Sequence, residues 1–298
     1  MPAVEVKNLF KSYNDQIAVK NLSFRVDPGE ILGLIGPNGA GKSSTIKIIL
    51  DFMKPDSGEI VIFGGPMSEE KKNRIGYLPE ARGLYKELKV LDCILYLASL
   101  KGMDKTTAKE RAVQLLERTG MIESEKKKIK HLSKGMSQMI QFIVTIIHNP
   151  ELLIMDEPFS GLDPVNTELM KNMVGKYRDE GKAIILSTHQ MNQVEELCDR
   201  VLMIDHGEEV LYGNLREIKS RFKKHSVQVS LVGDMGDLNG VTEIRTTKDG
   251  FELLLAEDGS PQSVLDQLRS QGLEIQRFEI TTPSLHSIFL NMVASDHG

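Results

Sequence analysis

Little in this chain speaks for a covalent staple, a membrane span or a grip on nucleic acid. It has 2 cysteines in 298 residues. Cys93 and Cys198 stand far apart, in no paired metal or redox spacing, so both are expected to be reduced packing residues. No stretch approaches the ~18 to 20 uninterrupted apolar residues that crossing a bilayer needs. Met1-Pro2-Ala3-Val4-Glu5 also lacks the charged-then-apolar pattern of an export signal, so the chain is expected to be cytoplasmic. Tryptophan is absent, which excludes nothing. The net charge of -5 argues against nucleic acid as the main partner, because phosphate backbones reward a basic face. The one dense basic run, Lys126-Lys127-Lys128-Ile129-Lys130, follows Glu123 and Glu125 and reads as a solvated loop or helix end rather than a lipid or partner contact. Internal repeats and low-complexity segments are missing as well.

What the chain does contain is ordinary globular material, 40% hydrophobic and 27% charged, in a length that suits one larger domain plus a small one. Its most informative stretch is Gly36-Pro37-Asn38-Gly39-Ala40-Gly41-Lys42-Ser43, a complete phosphate-binding loop. The apolar run Ile31-Leu32-Gly33-Leu34-Ile35 precedes it as a buried strand, and a helix follows with Ile46, Ile49, Leu50 and Met53 at i, i+3, i+4 and i+7. The bare pattern should arise by chance in about one chain in a hundred of this length, and the flanking strand and helix lower that further. Small residues let successive N–H groups point inward at phosphate oxygens, and the positive end of the new helix faces the same spot. Lys42 would reach the β and γ phosphates, with Ser43 on magnesium.

Around this loop the chain alternates. Val4–Leu9, Ser23–Val26 and Glu59–Phe63 read as strands of an antiparallel layer, with Asp27-Pro28-Gly29 as a turn. From about Arg82 to Gln141 the spacing is helical, in Leu91–Leu100 and Thr107–Arg118, broken by Gly102 and Gly120. Two apolar runs follow, Leu152–Met155 and Ala183–Leu186, each after a helical stretch, which implies a parallel sheet covered on both faces. Val201–Ile204 and Val210–Tyr212 form a hairpin about Asp205-His206-Gly207. A charged linker, Arg216–Lys224, leads to a small α+β unit with strands at Ser226–Leu231, Phe251–Ala256 and Leu273–Ile280, a helix at Pro261–Ser270 and a last helix from Pro283.

A phosphate loop needs an acidic strand end beside it. Leu152–Met155 runs into Asp156-Glu157, so a strand adjacent to the loop strand would deliver two carboxylates to one rim. Asp156 is placed to hold magnesium, through water or directly, together with Ser43. Glu157 is placed to meet the attacking water as general base or orienting group. His189, at the end of the next apolar strand, would share that rim and polarise the γ phosphate or fix Glu157.

These residues resemble an ATP-binding cassette (ABC) ATPase, the nucleotide-binding subunit of an ABC transporter, over about residues 1 to 215. Leu132-Ser133-Lys134-Gly135-Met136 resembles the family signature, Ser160-Gly161-Leu162-Asp163 its D-loop, and His189 its switch histidine. The resemblance implies an α/β fold of P-loop cassette type: a mixed sheet core, an antiparallel β layer and a helical subdomain at about 82–141, within a cassette domain at 1–218. A small α+β accessory domain at 219–298 resembles extensions on exporter-type cassettes. It implies ATP and Mg2+ as cofactors, with nucleotide contacts from Tyr13 against the base and from Gly36, Pro37, Asn38, Gly39, Ala40, Gly41, Lys42, Ser43 and Ser44. Metal ligation would fall to Ser43, Glu80 and Asp156. Two cassettes would pair head to tail, Ser133, Lys134, Gly135 and Met136 meeting the partner's nucleotide and Asp163 lying in the D-loop, with integral membrane subunits reading the dimer's state from the inner face of the membrane.

Departures from the family pattern are Glu80 where glutamine is usual, Lys134 in place of glycine and Met136 in place of glutamine. An ionised Glu80 accepts but cannot donate; Lys134 is expected to point to solvent. A soluble ABC ATPase acting on ribosomes or chromosomes is the alternative; it usually carries two cassettes or a long coiled coil, and neither is present here.

Overall fold

The computed structural model describes residues 1–289 apart from 15, 82, 222–225, 234, 248–249, 257–258 and 282–283. The chain divides into two compact units, Met1–Tyr212 and Gly213–Gly298.

The first unit opens with two long strands, β1 (Val4–Tyr13) and β2 (Gln16–Val26), then β3 (Ile31–Ile35), helix α1 (Lys42–Ile49) and β4 (Ser57–Ile62). Strands β2, β1 and β4 make a three-stranded antiparallel sheet, in register from Val4 to Val26 on one side and to Ile62 on the other. After α2 (Glu69–Asn73) comes β5 (Ile75–Leu78), then helices α3 (Val90–Ser99), α4 (Lys105–Arg118) and α5 (Lys134–Ile146). Then β6 (Leu152–Asp156), α6 (Pro164–Asp179), β7 (Ala183–Thr188), α7 (Met191–Leu197), β8 (Arg200–Asp205) and β9 (Glu208–Asn214) complete a six-stranded sheet of order β5-β6-β7-β3-β8-β9.

Every residue of β3, β6 and β7 is buried. That is why these strands read as unbroken apolar runs: a parallel sheet covered on both faces has no solvent side to alternate with. One apolar core joins the antiparallel layer to the parallel sheet through Val4, Leu22, Leu34, Ile46 and Ile154. Helix starts follow their caps. Asp104 accepts from Thr107 N at the head of α4, Ser133 from Met136 N at α5, and Asp163 from Asn166 N at α6, where Pro164 fills a first-turn position that needs no donor.

Strand order corrects one expectation. The acid-bearing strand β6 does not lie next to β3; β7 lies between them, paired to both. The antiparallel strands are longer than their apolar segments suggested. They continue through polar residues because one face of such a sheet is solvated.

In the second unit, β10 (Ser226–Val232), β11 (Val241–Thr247), β12 (Gly250–Leu255) and β13 (Glu274–Thr281) form an antiparallel sheet of order β11-β12-β10-β13. Helix α9 (Pro261–Ser270) packs Val264 and Leu268 onto Val227, Val229 and Leu253. Strand β11 was not foreseen, its sequence being mostly polar. The expected charged linker is in part helix α8 (Leu215–Arg221), with Leu215 and Ile218 buried. Pro283, where a last helix was expected to begin, lies outside the described residues; 285–289 are helical.

Candidate functional site

The loop between β3 and α1 is shaped by glycines with no room for a side chain. Gly36 has φ +150°, and a Cβ there would sit 2.0 Å from the carbonyl oxygen of Ile204. Gly41 has φ +108°, and a Cβ there would sit 2.2 Å from Ala18 O. Only glycine meets both demands. Gly41 is also the N-cap of α1 and offers no side-chain cap, so the first-turn N–H groups are left for an anion. Ala40 is buried and its carbonyl accepts from Gly207 N at 3.0 Å, while Pro37, Asn38 and Gly39 are exposed at the loop's crest.

Lys42 turns back over this loop. Its Nζ donates to the carbonyls of Gly36 (2.7 Å) and Pro37 (2.9 Å). Burial pushes its pKa down, and Glu157, Asp156 and Glu80 pull it back up. One buried cation thus faces three carboxylates across the site.

Strand β6 ends at Asp156, paired in register with Ser187 of β7. Asp156 is 4% exposed, and its Oδ2 accepts from Ser43 Oγ at 3.0 Å. Even with β7 between their strands, the first residues of α1 and the end of β6 meet. Glu157 follows in a left-handed conformation, φ 49°, its N–H donating to Ser187 O at 2.9 Å. Its carboxylate accepts from Thr188 Oγ1 (3.2 Å), from His189 N (3.0 Å) and from the His189 ring at Nδ1 (2.7 Å). A non-glycine residue held at positive φ with its carboxylate fixed from three directions is the kind of strain found at working sites.

These groups surround a cavity of about 430 Å3 lined by Asn38, Gly39, Gly41, Lys42, Ser43, Ser44, Glu80, Asp156, Glu157 and His189. Ala18 and Ser160 line it too. Ala18 carries no chemistry a sequence could flag, whereas Ser160 opens the D-loop-like segment Ser160–Asp163 and adds a hydroxyl to the wall. Tyr13 does not line the cavity. It is 39% exposed, and its hydroxyl donates to Met53 Sδ.

The remaining candidates stand apart from the cavity. Ser133 Oγ caps α5 by accepting from Met136 N at 3.1 Å. Asp163 caps α6, accepting from Asn166 N (2.9 Å) and Nδ2 (2.6 Å), and those bonds hold its carboxyl below the usual range. Lys134 is exposed, as expected, yet its stem lies across Gly161: a Cβ on that glycine would be 2.8 Å from Lys134 Cε. Gly135 approaches the same residue: a Cβ on it would sit 3.2 Å from Gly161 O.

Oxygen donors at Ser43 and Asp156, with Glu80 on the wall, suit a hard cation such as Mg2+. Among the described residues, no group of three or more His, Cys, Asp or Glu side chains forms a self-sufficient metal site.

A glycine loop on a buried strand, a lysine folded over it and an acid pair at the end of the next strand but one define a P-loop nucleoside triphosphatase. A family model described as "ABC transporter" matches residues 19–160, and one described as "ATP-binding protein DrrA1-3-like, C-terminal domain" matches residues 213–293. The chain is 41% identical over 293 residues to a Bacillus subtilis (strain 168) protein named Uncharacterized ABC transporter ATP-binding protein YhaQ, covering 97% of this chain and 98% of that one. It is 32% identical to the Nod factor export ATP-binding protein I of Rhizobium etli, covering 99% of this chain and 95% of that one. A solved structure titled "Structure of ATP binding subunit of ABC transporter" superposes with TM-score 0.69 at 33% identity, over 74% of this chain and 93% of that chain. The chain therefore belongs to the ABC transporter ATP-binding proteins. It is an ATPase and the ATP-binding subunit of a transporter, which sets aside a role on ribosomes or chromosomes. Among the described residues no helix is long and apolar enough to cross a membrane.

Proposed function

We propose that this chain pairs head to tail with a second cassette, a copy of itself or a different one, each ATP being held between the loop of one and Ser133–Met136 of the other. The observation that carries this reading is the cavity itself: Lys42, the Ser43–Asp156 pair and the Glu157–His189 pair face one another there. In it, the loop N–H groups and Lys42 bind the phosphates; Tyr13, which stands outside the cavity wall, would meet a base that extends beyond the cavity. Ser43 and Asp156, with Glu80, would hold Mg2+, which would supply neutralising charge to the triphosphate. Glu157 takes the proton of the attacking water, and His189 keeps that carboxylate aimed. Ser133 and the N–H groups at the head of α5 supply a second anion-binding end for the γ phosphate. Loss of that phosphate removes the bridge, so nucleotide state becomes a population shift between closed and open dimers.

In this reading transmembrane partner subunits at the inner face of the membrane convert closure into substrate movement, in the export direction. The relative named for Nod factor export supports that direction. The second unit adds dimer contacts or regulation, and no nucleic acid takes part.

Glu157→Gln protein tests the pairing, since it should retain ATP without spending it. Size-exclusion chromatography, with the second cassette present where it is a different chain, should show a dimer with Mg-ATP and monomers with Mg-ADP. Adding Ser133→Arg should prevent the dimer while leaving ATP binding intact. A state that is the same with either nucleotide contradicts the reading, and copurification with an integral membrane protein tests the partner.

A further inference from the structure

The helix that starts at Ser133 is bonded to both loops that carry the site's acids. Gln138, Gln141 and Thr145 stand at i, i+3 and i+7 on one face of α5, and none is more than 4% exposed. Gln138 Nε2 donates to the carbonyl of Pro158 at 2.9 Å, the residue after Glu157. Gln141 Nε2 donates to the carbonyl of Pro79 at 3.1 Å, the residue before Glu80. One turn further on, Thr145 Oγ1 donates to the Gln141 carbonyl at 2.9 Å, with the Tyr77 carbonyl 3.3 Å away.

A buried amide is an expensive choice for a helix core. Its polar atoms lose water, and only a hydrogen bond offsets the loss. Gln138 recovers part of that at Pro158. Gln141 recovers less, because its Oε1 is buried with no partner, and an unsatisfied buried acceptor destabilises the fold. A leucine at residue 141 would fill similar space without that cost. What the amide supplies is a fixed distance from the head of α5 to the backbone beside a carboxylate. Glu157 needs such a hold: at φ 49° its own N–H is tied to Ser187 O, and the Gln138 bond ties down the carbonyl of the next residue, Pro158.

We propose that Gln138 and Gln141 are positioning residues that set Glu157 and Glu80 relative to Ser133, so that the segment meeting the partner's nucleotide and the acids of the chain's own site move as one body. Neither glutamine touches nucleotide; Gln138 acts through Pro158 and Gln141 through Pro79. The inference rests on the roles given above to Glu157 and Glu80.

The test uses full-length protein and turnover per bound ATP, so that misfolding lowers the number of sites without changing the reading. Gln138→Met keeps the volume and removes the donor. Its turnover per bound ATP should fall about tenfold or more, the scale of a small misplacement at a reacting centre, with Mg-ATP affinity within about threefold. Gln141→Leu also removes the unpaired acceptor. It should melt at the wild-type temperature or above, yet need severalfold more Mg2+ for half-maximal turnover, with ATP binding in EDTA unchanged. Should Gln138→Met not fold, Gln141→Leu decides alone. Glu157→Gln and Glu80→Ala run alongside. Wild-type turnover in Glu157→Gln, or unchanged Mg2+ dependence in Glu80→Ala, overturns the role of that acid. If both acid variants are impaired while both glutamine variants match wild type in turnover and Mg2+ dependence, the glutamines are packing residues and the proposal fails.

Discussion

At Gly36 a single methyl group would collide with the backbone of β8. The constructed Cβ lies 2.0 Å from Ile204 O at φ +150°, so Gly36→Ala should cost about 2 kcal/mol or more in chemical denaturation and abolish ATP binding at millimolar nucleotide. Gly39 makes the contrast: its φ is +84°, and a Cβ there would meet nothing within 4 Å. Gly39→Ala should cost about 1 kcal/mol, the conformational penalty alone. Glu80→Gln should keep turnover within about tenfold, a difference of ~1.4 kcal/mol, since either side chain presents oxygen to a cation. A thousandfold loss would show that the charge is required. The loop residues and both acids were legible because their chemistry is local: small residues before Lys-Ser, and carboxylates where an apolar run stops. Ala18 was not, since it serves the site only through its backbone carbonyl against Gly41 and its place on the cavity wall. Tyr13 was placed by resemblance, and the structure sets it against Met53 rather than on the cavity wall.

Among the elements, the order of the parallel strands could not be read. Strands β3, β6 and β7 are all continuous apolar runs, buried on both faces, and nothing in such runs says which is central. The wedge of β7 between the loop strand and the acid strand follows from pairing alone. Helices were easier, because caps such as Asp104, Ser133 and Asp163 mark their starts. Just past α5, His148 Nε2 donates to Ile75 O at 3.1 Å. Burial, then Lys101 and, more weakly, Arg111 push its pKa down to about 4, against the pull of the Ile75 bond. A histidine depressed on folding binds fewer protons folded than unfolded. Its neutral form is therefore fully stabilising above the unfolded value near 6.5, and stability is lost as pH falls from there toward 4. The contribution is about 3 kcal/mol at most. Melting at pH 5 should come below melting at pH 7.5, and His148→Gln should narrow that gap; an unchanged gap would remove His148 as a cause.

On the scale of the whole molecule, every residue lining the cavity lies in the unit Met1–Tyr212. A chain truncated after residue 219 should bind Mg-ATP with the affinity of the full chain, by calorimetric titration. If the second unit supplies dimer contacts, the truncated form should need more protein to dimerise, and equal dimerisation would leave that unit without the role. The second unit was legible in outline, from its apolar strands and the Pro261 helix start. Strand β11 escaped because its alternation of half-buried and exposed residues leaves little apolar signal.

The most direct measurement is hydrolysis of pre-bound ATP in a single turnover, comparing wild type with Glu157→Gln at equal occupancy. Both proteins should bind Mg-ATP alike, and the wild type should release phosphate at least a hundredfold faster, the scale of a lost general base at about 10²–10⁴. Equal release from the two, or failure of the wild type to bind Mg-ATP at millimolar concentration, would contradict the account.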